Sequence, residues 1–597
     1  MKKSIFLMLC MLVSLCGYAQ KTVKGTVVDK ADIPVIGASV LEVGNPSNGT
    51  ITDMDGNFEL SVKSNGELQI SYIGYVTQVV KVENRKTIRV VLDEDSKALD
   101  EVVVVAFGKM KKEAFTGSAG VMKTDELAKA QVSNAANALA GRVAGVQLST
   151  TSAQMGESPS ITIRGIGSIS SGTEPLIVVD GMPYDGDLNL INPQDIESMT
   201  VLKDAASNAL YGARGANGVI MITTKRGASG DAKISFDAKW GVNSNGLKGY
   251  KTLNAQQYYE TYYKSLYNYA VASTEDTGLG YSAAEAHAYA NNALTNITSG
   301  VGPGYMIYTI PTGEDFILEG GKMNPKATMG AMHNYNGQQF WLQADDWEEE
   351  GLMNGFRQEY NASVSGASDR INYYASLGYL DQEGIQEGAR ETRLTARLKA
   401  DYQAKKWLKV GVNMSYTDYD YAQVSEGTIG SGTIWPIIKT QAPVYPVYLR
   451  GADKKIMIDQ WGEKMYDFAQ SYDLNRAGGV GGNAIFSNKY RDSGTKGGSF
   501  TGSGYADFNI MDGLTFTVNG SIYKYDRRYT YISSPFVDHY TSSSDNGSIS
   551  KTAYTTKTYN TQQLLNYVKT FGLHDVSAMI GHEYYNYEYQ SLSGSGW

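Results

Sequence analysis

The sequence predicts a mainly β protein: a small β-sandwich domain, then an α/β domain, then an incomplete antiparallel transmembrane β-barrel. Three observations predict this. From residue 232 onward, apolar and polar residues alternate with a period of two, in segments about ten residues long, which is the length a tilted strand needs to cross a bilayer. The connections between these segments alternate between tight turns and long loops, as in membrane barrels. The composition fits as well: 43 Tyr and 65 Gly in 597 residues, 42% hydrophobic residues and a mean hydropathy of −0.31. Strands with one lipid-facing and one wet face average to such values.

The chain opens with Lys2 and Lys3, an apolar run over 5–15, and Gly17-Tyr18-Ala19. The run is too short to span a bilayer, and the small residues suit a signal peptidase, so residues 1–19 read as a cleaved export signal. Leu9 precedes Cys10 and Leu15 precedes Cys16, which argues against a lipoprotein signal. Both cysteines of the chain fall inside this segment, which excludes disulfides and thiolate metal sites from the mature protein. Removing Lys2 and Lys3 takes the formal charge from −9 to −11, a poor balance for binding nucleic acid. No later stretch is apolar enough for a membrane helix, so any spanning structure is a barrel.

Residues 20–94 read as the sandwich. Short alternating runs at 21–29, 34–43, 58–60, 68–72 and 88–92 are separated by Gly, Asn and Asp turns. Asp53, Asp55 and Asn57 have a calcium-loop flavour, but the twelfth position is Ser64 and Gly56 is misplaced, which leaves a hairpin turn. Residues 95–112 form a linker. Within it Asp100 and Glu101 precede four valines, Val102 to Val105, with Lys109, Lys111 and Lys112 following. Such a run is a strong strand former with no evident partner. Residues 113–228 mix helices, expected at 133–140 and 203–211, with strands at 160–164, 176–180 and 218–224.

From 229 to 597 the barrel pattern dominates. Ala232, Ile234, Phe236, Ala238, Trp240 and Val242 alternate with Lys233, Ser235, Asp237, Lys239 and Gly241. Leu408 to Tyr416 and Leu514 to Ile522 repeat the pattern. Strands are expected near 232–243, 357–366, 371–381, 391–403, 406–420, 498–509, 513–525, 558–570 and 575–589, with residues 591–597, rich in Gly and Ser, lying outside them.

Several long motifs occur in an order that resembles one family, the SusC-like (RagA-like) TonB-dependent outer-membrane receptors. The motifs are NAANALAGRVAGVQL at 134–148, ITIRG at 161–165, LIVVDGMPY at 176–184, NPQDIESMTVLKDAASNALYGARGANGVIMITTKRG at 192–227 and RQEYNASVSGASDRINYYASLGYLDQEG at 357–384. Residues 21–93 resemble the family's carboxypeptidase regulatory-like domain, and 113–228 its plug. Asp100, Glu101, Val102, Val103, Val104 and Val105 look like its TonB box. The resemblance implies a plugged barrel in the cell outer membrane with a periplasmic N-terminal domain. It implies import of an oligosaccharide or peptide without a cofactor, a SusD-like surface lipoprotein as lid, and TonB, energised through ExbB and ExbD, pulling on the box. It also implies a closed barrel of about 22 strands. Nine are expected here, so the chain reads as a fragment or a truncated frame.

Other functions are weaker. The five histidines, His287, His333, His539, His574 and His582, make no metal-protease spacing, and no nucleophile elbow or phosphate loop occurs, so an enzyme is not expected. A glycan-binding adhesin is suggested by Tyr258, Tyr259, Tyr262, Tyr263 and Tyr267, which equally suit the packing of a loop helix. A siderophore or cobalamin receptor is a further alternative, though the N-terminal domain favours the SusC branch. Substrate contacts are unknown; the turn at 181–186 is a candidate by location alone.

Overall fold

The structure is a computed structural model. It describes residues 20–29, 34–35, 37–53, 55–63, 66–72, 77–83, 85–92, 102–105, 108–111, 118–124, 132–150, 154–170, 172–204, 208–227, 230–246, 249–297, 300–424, 434–477, 482–534, 547–572 and 574–597. The expected export signal, Asp100 and Glu101 lie outside these residues. The chain divides into two compact units, 1–117 and 118–597.

The first unit contains a sandwich of seven strands: β1 (Gln20–Val28), β2 (Ser39–Glu42), β3 (Asn45–Ile51), β4 (Asn57–Lys63), β5 (Glu67–Ser71), β6 (Gln78–Lys81) and β7 (Thr87–Val91). One sheet has the order β4-β1-β7 and the other β3-β2-β5-β6. Alternation decides the faces. Phe58, Leu60 and Val62 of β4 point inward and meet Val40, Leu68 and Ile70 in one core. The strand expected over 34–43 is shorter, because Gly37 turns the backbone at φ 77° and Pro34 makes only an isolated bridge to Val28. Asp53 Oδ1 accepts the amides of Asp55 (3.0 Å) and Asn57 (2.8 Å), the geometry of a hairpin turn. The valine run does have a partner: β8 (Val102–Val105) pairs antiparallel with β9 (Gly108–Lys111).

The second unit starts with the α/β domain. Its strands are β10 (Ala119–Lys123), β11 (Val146–Ser149), β12 (Ser160–Ile163), β13 (Leu176–Val179), β14 (Met182–Pro183), β15 (Ile196–Leu202) and β16 (Val219–Thr224). Five form a sheet in the order β10-β15-β16-β13-β14, while β11 and β12 form a hairpin. Central β16 is buried along most of its length and reads as a continuous apolar run. The first expected helix is tighter than predicted. Ala136–Leu139 is a single 3-10 turn, opened by Asn134 Oδ1 accepting the Ala136 amide at 2.8 Å and followed by Gly141 at φ 67°. Of the second, expected over 203–211, residues 205–207 lie outside those described; a 3-10 segment, Ala209–Gly215, follows and breaks at Gly212, φ 56°.

The largest sheet has nine strands among the described residues, all antiparallel and in sequence order. They are β17 (Gly230–Asn243), β18 (Gly355–Ala367), β19 (Ile371–Glu383), β20 (Arg390–Lys405), β21 (Leu408–Ala422), β22 (Arg491–Met511), β23 (Leu514–Ser533), β24 (Ser548–Phe571) and β25 (His574–Gly596). Number and order agree with the sequence, and so does the alternation of tight and long connections. The outward face carries Ile234, Phe236, Trp240 and Val242, which are 63–81% exposed to the lipid side.

The last four strands are longer than periodicity suggested, at 20–24 residues. The excess is polar on the outside. After Ile522 the outward face of β23 continues with Lys524 and Asp526, paired at 2.7 Å, and Lys496 reaches Asp420 at 2.8 Å from β22 to β21. An alternation search follows apolar residues, whereas pairing continues through backbone amides once lipid is no longer the neighbour. For the same reason β25 continues through the Ser and Gly residues to Gly596, opposite Ile549, where the sequence suggested no strand.

The described parts of the long connections 244–354 and 423–490 are also structured. Helix α1 (Ala255–Val271) starts in a capping box of Asn254 and Gln257, and α2 (Ala283–Thr295) in one of Ser282 and Glu285. Tyr259, Tyr263 and Tyr305 meet Phe316 and Tyr445 in a shared core. Shorter helices α3 (Trp347–Gly351), α4 (Ile434–Thr440) and α5 (Ala484–Lys489) surround a second one.

Candidate functional site

The α/β domain docks on the inner, polar face of the barrel sheet. Docking begins with one turn. Asp180 and Gly181 join β13 to β14 with φ of 49° and 87°, both positive as a two-residue hairpin of the Asp-Gly type requires. The turn fixes Asp180 beside Thr224, whose amide donates to Oδ1 at 3.0 Å. From the wall, Lys399 Nζ donates to Oδ1 at 2.9 Å and Asn413 Nδ2 to Oδ2 at 2.6 Å, with Arg397 Nη1 at 4.0 Å. Burial opposes the charge on Asp180, but the Lys399 and Arg397 cations hold its carboxyl below the usual range.

A second carboxylate, Asp195, accepts from Tyr374 Oη (2.9 Å) and Ser376 Oγ (2.7 Å), and Arg397 Nε lies 3.8 Å away. Arg393 donates to the carbonyls of Asn189 and Ser133. Asn192 Nδ2 donates to Asn361 Oδ1 at 2.8 Å, and Thr417 Oγ1 to the Leu190 carbonyl at 2.8 Å. On the far strands, Asp185 accepts from Thr558 Oγ1 (3.0 Å) and Tyr585 Oη (2.8 Å), while Arg214 lies 4.1 Å over the Tyr585 ring. Apolar contact is narrower: Tyr184 meets Tyr523 edge-on at 5.3 Å, and Leu190 packs on Tyr419 and Tyr421. Burial pushes the Asp187 carboxyl up in the same region.

This arrangement can hold a domain firmly and release it. The contacts named above give these polar groups protein partners when docked, and water can replace those partners when the domain moves. An apolar interface of equal size would leave greasy surfaces in the lumen on release.

The structure brings together residues the sequence reading did not single out: Asp180, Asp195, Arg393, Arg397, Lys399 and Asn413. A signal existed, since Arg393, Arg397 and Lys399 recur at even spacing on the wet face of one strand, alternating with Leu394 and Leu398. Of the expected TonB-box residues, Val102 to Val105 form β8, which is described at the level of its backbone. The 181–186 turn packs against the wall, with Met182 and Tyr184 buried. The tyrosines of α1 serve packing: Tyr259 and Tyr263 are buried, and Tyr258, Tyr262 and Tyr267 lean on the same core. His287 bonds to Tyr263 Oη at 2.6 Å, and no group of three potential metal ligands occurs among the described residues.

Comparison with known proteins agrees with this geometry. Residues 111–219 match the TonB-dependent Receptor Plug Domain, and 23–104 the CarboxypepD_reg-like domain. The TonB-dependent receptor SusC of Bacteroides thetaiotaomicron is 31% identical over 463 residues, covering 74% of this chain and 39% of SusC. The TonB-dependent receptor P3 of Formosa agariphila is 28% identical over 603 residues, covering 100% of this chain and 50% of P3. The chain thus spans half or less of the length of these curated relatives. Among solved structures, the RagAB peptide importer in its open-open state superposes with a TM-score of 0.61 at 25% identity, covering 83% of this chain and 50% of that one. With regulatory-like domain, plug and lipid-facing antiparallel sheet in this order, the chain belongs to the SusC-like TonB-dependent receptors of the outer membrane.

Proposed function

We propose that the protein serves TonB-dependent import of a nutrient, an oligosaccharide or a peptide, across the outer membrane. The single observation that carries this reading is a plug docked on the lumen wall by replaceable polar contacts, centred on Asp180 and Lys399. Such a plug blocks passage until work moves it. The pull enters at Asp100, Glu101 and Val102 to Val105 on the periplasmic side. In support, β8 is a two-strand ribbon with β9, so among the described residues one edge of the valine strand is free to accept an added strand. TonB, energised by ExbB and ExbD, supplies that strand. A SusD-like surface lipoprotein captures the cargo. The peptide arm draws support from the likeness to the RagAB peptide importer.

Deleting residues 100–105 tests the reading. Loss of nutrient-dependent growth with surface binding retained is the expected result. Unchanged growth overturns it and favours an adhesin.

A further inference from the structure

The plug does not meet the wall evenly. Asp180 and Asn192 are hydrogen-bonded to wall side chains, but between the end of β16 and the inner faces of β17, β18 and β19 lies a cavity of about 330 Å³. That is room for about ten waters. Its lining is polar apart from Ala362.

The charges around it are unequally satisfied. Asp195 is engaged by Tyr374, Ser376 and Arg397. Asp237 lies 3.3 Å from Lys239, and Arg226 lies 3.7 Å from Glu197. Lys225 and Lys233 also line the cavity, and neither has a hydrogen bond or an ion pair through its ammonium among the described residues. Lys225 is half-buried on the plug side, and Lys233 faces the same space from β17. Burial, with the like charge of Lys233, lowers the Lys225 pKa, and the Asp195, Asp237 and Glu197 carboxylates offset this only in part.

We propose that this cavity is an anion site: a small oxyanion, carboxylate or phosphate, binds on Lys225 with Lys233 across from it. The anion adds counter-charge beyond what Asp195 and Asp237, each engaged elsewhere, give Lys225. The inference does not rest on nutrient import, since its test reads access and charge rather than uptake.

The chain's only cysteines are Cys10 and Cys16, within the expected export signal, so one introduced thiol can report on the cavity. Ser235→Cys puts it on the lining face of β17, between Lys233 and Asp237. The full chain in isolated outer membranes is treated with an anionic sulfonatoethyl or a cationic trimethylammonioethyl methanethiosulfonate. The anionic reagent is expected to react several-fold faster, and inorganic phosphate to slow it. Lys225→Met and Lys225→Gln should each remove the preference, and Lys225→Arg should keep it. No labelling, equal rates for the two reagents, or a preference that survives both neutral substitutions overturns the proposal.

Discussion

Lys399 Nζ lies 2.9 Å from Asp180 Oδ1, joining a hairpin turn of the plug to the middle of a barrel strand 219 positions further along the chain. Both side chains are largely buried, 15% and 11% exposed. Removing one partner of such a pair costs about 3–5 kcal/mol, because the other charge stays buried. Lys399→Met should therefore loosen the plug by that order, measured as protease sensitivity of the plug in membrane-inserted protein. Adding Asp180→Asn should recover part of the loss. A single variant as resistant as the parent would contradict this assignment.

The same pair sets a pH dependence. The Asp180 carboxyl is held below its ordinary value, so its contribution to docking is complete above the unfolded-state pKa of about 3.9 and is lost as pH falls through the lower, folded value. The Asp180 share of plug protection should be flat from neutral pH down to about 5 and weaken only below about 4. In Asp180→Asn the acid-dependent part should shrink. A loss centred near pH 6 would point to a different group.

Gly227 ends the plug where the chain enters the barrel. Its amide donates to Asn372 Oδ1 at 3.0 Å, and Asn372 Nδ2 donates to its carbonyl at 2.6 Å. A Cβ there would lie 2.1 Å from the Gly366 carbonyl oxygen, which is backbone and has little freedom to retreat. Gly227→Ala should destabilise by about 1–3 kcal/mol, the usual range for overpacking, and Asn372→Ala should be similarly damaging. Heat-dependent gel mobility of the folded protein would register both.

In the lobe formed by the long connections, Tyr305 Oη donates to both carboxylate oxygens of Asp467, at 2.9 and 2.8 Å, linking the two. Arg476 backs the carboxylate at 3.7 Å and donates to the carbonyls of Gly482 and Asp467. Burial, then the Asp467 charge, pushes the Tyr305 hydroxyl well above its ordinary pKa, so it stays a donor at any physiological pH. Tyr305→Phe should cost about 1–3 kcal/mol, the cost of a buried acceptor losing its donor, and Arg476→Met more. Proteolysis should then cut the lobe first and leave the barrel strands protected.

Leu377 tests the lipid assignment. It is 61% exposed on the outward face of β19, mid-strand. Leu377→Arg should cost about 2–4 kcal/mol in lipid, as for a cation near the bilayer midplane. Asp418→Lys, on the outward face of β21 beyond Tyr416, should cost little. Equal costs in a folding titration into vesicles would shift the apolar band.

The sequence by itself determined the β architecture, the nine barrel strands in order, and the lipid-facing side of three of them. It could do so because a period of two is a local property, and lipid on one side with a wet lumen on the other enforces it residue by residue, as in Ile234 to Val242. The family motifs were legible too, since they are contiguous. The tertiary structure alone decided which polar residues matter together. Asp180, Arg397, Lys399 and Asn413 come from a turn and two strands, and the even spacing that marks Lys399 as lumen-facing does not say which carboxylate it meets. Only the docked plug gives Lys399 a carboxylate. The tertiary structure also decided that the long loops fold, because the core around Tyr259 and Tyr445 joins segments almost two hundred residues apart, and that strands such as β25 outrun their apolar pattern, because backbone pairing continues where the lipid ends.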